Sequence, residues 1–106
     1  MKENETGINR RVADLIDHEH RVYLHFASPN GIEEFQRRAG NEGICFADGA
    51  EAGERKLAPI MRLLDDQTIC YVGFVGTMAY HSRQADIRRV DFEKYASGCG
   101  NYLLAL

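Results

Sequence analysis

Hydrophobic and polar positions alternate most cleanly over residues 21–27, RVYLHFA, where Val22, Leu24 and Phe26 share one face and Tyr23 and His25 the other. A period of two sustained over that length predicts a β-strand. Upstream, Ile8, Val12, Leu15 and Ile16 fall at i, i+4, i+7 and i+8, which predicts a short helix capped by Thr6 or Asn9. Residues 1–6 are polar throughout and are expected to be disordered. Downstream, Ser28-Pro29-Asn30-Gly31 reads as a loop from which Ser28 or Asn30 caps a second helix. Ile32, Phe35, Gln36 and Ala39 form its buried stripe, Glu33 and Glu34 suit its positive end, and Gly40 or Gly43 stops it. Ile44, Cys45, Phe46 and Ala47 then form a short strand, and the order strand, helix, strand suggests parallel pairing of the two strands.

The stretch 68–82, TICYVGFVGTMAYHS, carries no acidic or basic residue other than His81 and is dense in β-formers. Gly76-Thr77 is a Gly-X pair suited to a type II′ turn, so a central β-hairpin is expected there. A bulged turn at Phe74-Val75-Gly76 competes with it and would move Met78 and Tyr80 to the opposite face. Before it, residues 48–54 read as a surface loop, and Pro59 as the first residue of a short helix containing Ile60, Met61, Leu63 and Leu64. After it, residues 87–91 read as an edge strand, Asp91 as the cap of a helix over 92–97, and Gly98 as its stop. The sum is a single α+β domain over residues 1–106. Three to four helices form one layer on a mixed sheet of about four strands, with the central β-hairpin at 68–82.

Composition narrows the function classes. A net charge of −3 argues against nonspecific attraction to nucleic acid or to an anionic membrane. Cys45, Cys70 and Cys99 are too few and too irregular for a disulfide framework, no apolar leader opens the chain, and no run could span a bilayer. A cytoplasmic protein without a membrane partner is expected. Asp17-His18-Glu19-His20 is the most metal-like cluster, but His25 and His81 are the remaining histidines, and a solvated junction explains it as well. Cys99 lies in Ser97-Gly98-Cys99-Gly100, after a helix C-terminus, where the dipole does not activate a thiol. Glu33-Glu34 and Asp65-Asp66 are adjacent in sequence and would point to different faces, which does not build a two-carboxylate site. No catalytic residue, metal or cofactor is therefore assigned.

Ten arginines against three lysines shift attention to recognition, since a guanidinium is the interface cation of choice. Arg83, Arg88, Arg89 and Lys94, with Tyr80 and Tyr95 nearby, are the expected partner-binding residues. The function expected is that of a small cytoplasmic non-catalytic binding protein acting through protein–protein contact. It is expected to be an inhibitor of phage or mobile-element origin, of the anti-CRISPR kind. The alternative is an RNA or single-stranded DNA binding module using residues 83–94, and self-association through an open sheet edge is a third route.

Overall fold

The computed structural model describes residues 10–82 and 86–104. The expected disordered stretch 1–6 lies outside them. Five strands form one mixed sheet: β1 Arg21–His25, β2 Cys45–Phe46, β3 Ile60–Leu63, β4 Thr68–Tyr71 and β5 Ile87–Asp91, in the spatial order β2-β4-β3-β1-β5. β1 runs antiparallel to β3 and parallel to β5, while β4 runs antiparallel to β3 and parallel to β2. Three helices, α1 Pro29–Glu42, α2 Gly73–Ser82 and α3 Phe92–Ala96, complete the α+β fold.

Strand alternation divides the core in two. On one face Val22, Leu24, Met61, Leu63, Ile69 and Val90 meet Phe35 and Ala39 of α1 and Phe92 and Tyr95 of α3. On the other, Tyr23 and Ile87 meet Tyr80 of α2. The helices therefore lie on both sides of the sheet, where a single layer was expected. The caps read from the sequence form: Ser28 accepts from the Gly31 amide, Gly43 takes φ 77°, and Asp91 accepts from the Lys94 amide.

Four further expectations are corrected. The hairpin over 68–82 does not form. Only Thr68–Tyr71 is strand, and it pairs with β3 through a tight connection containing Asp65 and Asp66, in which Gln67 takes φ 66°. Gly73, at φ 68°, then turns the chain out of the sheet into α2. Gly76-Thr77 sits inside that helix, and a Cβ on Gly76 would come within 2.6 Å of the Val72 Cβ.

The helix expected after Pro59 is strand β3, because Met61 and Leu63 fill the core from one face while Arg62 points to the other. Pro59 stays just outside it, its carbonyl accepting from the Phe26 amide at 2.8 Å. The parallel neighbours expected from the order strand, helix, strand are separated by the β3–β4 pair. Near the start, the helix is reduced to a 3-10 turn over Val12–Leu15, whose Val12 and Ala13 amides donate to the Glu42 carboxylate at 2.7 and 2.9 Å.

Both edges of the sheet are occupied. The Asp91 amide donates to the Tyr102 carbonyl and the Leu104 amide to the Arg89 carbonyl, so residues 102–104 run along β5. β2 is two residues long, and Cys45 bridges to Glu51 on its open side. Little ladder is left for the strand addition that an open edge invites.

Candidate functional site

The six residues singled out from the sequence do not converge. Arg83 lies outside the described residues. Tyr80 is buried, stacked between Tyr23 and His25 with centroids 6.2 and 6.1 Å away, and the Arg89 guanidinium lies 5.2 Å from its ring. Arg89 is itself buried. Tyr95 is buried on the opposite side of the sheet, its hydroxyl donating to the Arg11 carbonyl at 2.5 Å and its ring 5.1 Å from the Arg10 guanidinium. Arg88 and Lys94 are exposed; the former is paired with Asp17 at 2.7 Å. Three of the set thus build the interior, because an amphipathic side chain near a strand or short helix covers core as readily as it meets a partner.

Burial also sets the ionisation of the two tyrosines. It raises Tyr80, and it pushes Tyr95 up to about 12, with the charge on Asp14 acting in the same direction. The Tyr95 proton is therefore held more tightly in the folded chain than in the unfolded one. Its contribution to stability is complete below about pH 10, the ordinary tyrosine value, and is lost as pH rises through about 12. Unfolding free energy should fall across that window, in step with a tyrosinate absorbance change, and Tyr95→Phe should flatten the fall. An equal slope in the variant would assign the alkaline loss elsewhere.

The histidine cluster is broken up by its partners. His18 Nδ1 lies 3.3 Å from Asp65, whereas His20 Nδ1 lies 3.1 Å from Asp17. Asp17 also accepts from the Glu19 amide, the leading cause that holds its carboxyl below the usual range, with His20 and Arg88 adding to it. Among the described residues no three His, Cys, Asp or Glu side chains gather in a way that could hold a metal ion. Cys45 and Cys70 are half-buried, and burial raises the Cys70 thiol; Cys99 is exposed, its Sγ 3.5 Å from Ser97 Oγ.

The feature that sequence reasoning missed is α2. Its inner side carries Gly76, Thr77, Ala79 and Tyr80, of which Tyr80 is buried in the second core and Ala79 packs against it. Phe74, Val75 and Met78 occupy the opposite side, 78, 79 and 57% exposed, whereas the half-exposed Tyr71 at the end of β4 stacks on Phe46 and donates its hydroxyl to the Lys56 carbonyl at 2.6 Å. A groove of about 380 Å³ lies at the start of the helix, lined by Ala58, Pro59, Ile60, Tyr71, Val72 and Thr77, and does not include Phe74, Val75 or Met78. The helix carries no Asp, Glu, Lys or Arg. The signal available in the sequence was the helical spacing of small residues, with Phe74 and Met78 four apart on the other side.

No helix among the described residues is long and apolar enough to cross a membrane. Compared with known proteins, the chain matches no family model, and no curated protein and no solved structure is significantly similar to it. The class defined here is a small α+β domain with a mixed five-stranded sheet and one helix whose outer side is apolar.

Proposed function

We propose that this protein works by contact with another protein, without catalysis, and that the outer side of α2 is its working surface. One observation carries the reading: Phe74, Val75 and Met78 are all exposed on the outer side of one helix that carries no Asp, Glu, Lys or Arg. Apolar residues scattered singly over a surface need no explanation, but a patch of this kind is costly to leave in water and marks an interaction site. Its aromatic and sulfur-bearing side chains are also the types enriched where proteins meet. An inhibitory role of the anti-CRISPR type belongs to the same proposal, because a small domain inhibits by occluding a larger one, which takes a surface and no chemistry.

Phe74→Glu should leave the fold intact, with unfolding free energy within about 0.5 kcal/mol of the parent, as for surface substitutions in general. The same change should abolish stoichiometric retention of a protein partner from a host lysate. Retention of nothing by the parent, or equal retention by the variant, would remove the reading. A salt-dependent shift of a labelled oligonucleotide, lost in Arg88→Ala combined with Lys94→Ala, would favour the nucleic-acid alternative instead.

A further inference from the structure

We propose a second site, apart from α2: a pocket between residues 17–21, which lead into β1, and the end of β3 takes a small zwitterion of the amino-acid kind. Arg62 receives its carboxylate and Glu19 its ammonium. None of the lining residues belongs to α2, so the site stands independently of the contact surface.

The ionised groups around the pocket sort by partner. Arg21 is paired with Asp86 at 2.8 Å, His18 with Asp65 at 3.3 Å and His20 with Asp17 at 3.1 Å. Asp17 also meets Arg88 at 2.7 Å. Two lining side chains of opposite sign are left over, Arg62 and Glu19. Neither makes an ion pair or a side-chain hydrogen bond with any described residue, and they do not meet each other.

Arg62 is the costlier of the two. It stands between Tyr23 of β1 and Cys70 of β4, and its Nε is buried with no hydrogen-bond partner. A buried donor without an acceptor forfeits the water it gave up, and a native fold that keeps one has a reason to. The four terminal N–H groups of the same guanidinium have no protein acceptor either. A planar fork of donors is matched by a carboxylate, which it binds through two parallel hydrogen bonds.

The rest of the lining decides what else the ligand carries. A phosphate on Arg62 would bring further negative charge beside Asp65, Asp86 and Glu19, with no other unpaired cation to offset it. A zwitterion adds no net charge, and its ammonium supplies the counter-charge that Glu19 lacks. The volume of about 180 Å³ limits the ligand to about six non-hydrogen atoms, taking about 30 Å³ for a group the size of water.

The test titrates the isotope-labelled full chain with glycine, 3-aminopropanoate and 4-aminobutanoate, which hold the same two charges at increasing separation. At least one should give saturable amide shifts at Arg62, Leu64 and Asp65 in the millimolar range. Propanoate and propylamine, each with one of the charges, should bind at least about 10-fold more weakly, as for loss of a hydrogen-bonded charge. Arg62→Gln should weaken the amino acid and propanoate alike. Glu19→Gln should weaken the amino acid by at least about 10-fold and leave propanoate unchanged. Glu19 is exposed, so that arm does not depend on how Arg62→Gln folds, and melting confirms both variants. Absence of saturable shifts with all three amino acids overturns the proposal. So does propanoate binding as tightly as they do, or affinity that neither substitution changes.

Discussion

Phe92→Ala should lower the unfolding free energy by about 3–5 kcal/mol, the range for truncating a buried aromatic. Phe92 is fully buried and meets Phe26 edge-on at 5.6 Å and Phe35 at 5.4 Å with an interplanar angle of 88°, while Phe26 and Phe35 lie 5.3 Å apart. These three rings join the exit of β1, the middle of α1 and the start of α3, and each pair is in the edge or tilted geometry that aromatic quadrupoles prefer. Removing the central ring leaves a cavity that two helices and a strand would have to move together to fill. Marginal domains hold only about 5–15 kcal/mol, so a melting temperature lower by about 15 °C or more is expected. Phe92→Leu keeps most of the volume and should cost less than half as much. Chemical denaturation followed by circular dichroism measures both, and a loss below about 1 kcal/mol for the alanine variant would show that the ring cluster is not the joint described.

Glu93→Ala should cost about 1.5–3 kcal/mol, the range for hydrogen bonds to a charged group. Its carboxylate accepts from the Ala27 amide at 3.0 Å, the Ser28 amide at 3.1 Å and the Ser28 hydroxyl at 3.3 Å, and so places a negative charge at the start of α1. That end of the helix is electropositive and carries unpaired amides, so the charge is favourable there. Gly31 makes the room: a Cβ at that position would lie 1.8 Å from Glu93 Oε2. The two sites are therefore coupled. Gly31→Ala should destabilise the parent by expelling the carboxylate, even though alanine exceeds glycine by about 1 kcal/mol in a helix. In the Glu93→Ala background the same change should be neutral or stabilising. A double-mutant cycle reads the difference, and additive effects would show that the carboxylate does not occupy the space beside Gly31.

That pairing also marks where local sequence reading stops. The sequence suggested that Glu33 and Glu34 serve the start of α1, but the first turn contains neither, and Glu34 instead pairs with Arg37 and Arg38 farther along. The charge that serves the helix start comes from 65 residues away, and nothing in the neighbourhood of Ser28 announces it. Features fixed by a few adjacent residues were legible: the alternation of β1, Ser28 and Gly43 bounding α1, and Asp91 ahead of α3.

Elements of four to ten residues with mixed signals were not. Ile60, Met61, Arg62 and Leu63 suit a strand or one turn of helix equally until neighbours on both sides choose, and here β1 and β4 do so. In α2 the β-formers Phe74 and Val75 outweighed the helical spacing of Gly73, Gly76, Thr77 and Tyr80, because propensity for strand is largely a preference for being half covered. The candidate surface was missed for the same reason. Apolar side chains were assigned to the interior, while Tyr80, Tyr95 and Arg89, assigned to a surface, fill it.

The parallel pairing of β1 with β5 has a bearing on how the chain folds. Arg21 pairs with Ile87, 66 residues on, so a strand that lies between two neighbours in the finished sheet has only one of them until that long-range contact forms. Ile87 also forms part of the seat for Tyr80. Whenever residues 87–91 are not yet paired with β1, α2 lacks part of its seat and carries no Asp, Glu, Lys or Arg to keep it dispersed. A partly folded chain of this kind leaves an uncharged segment with large apolar side chains uncovered, the kind of species that chaperones retain and that aggregates when they do not.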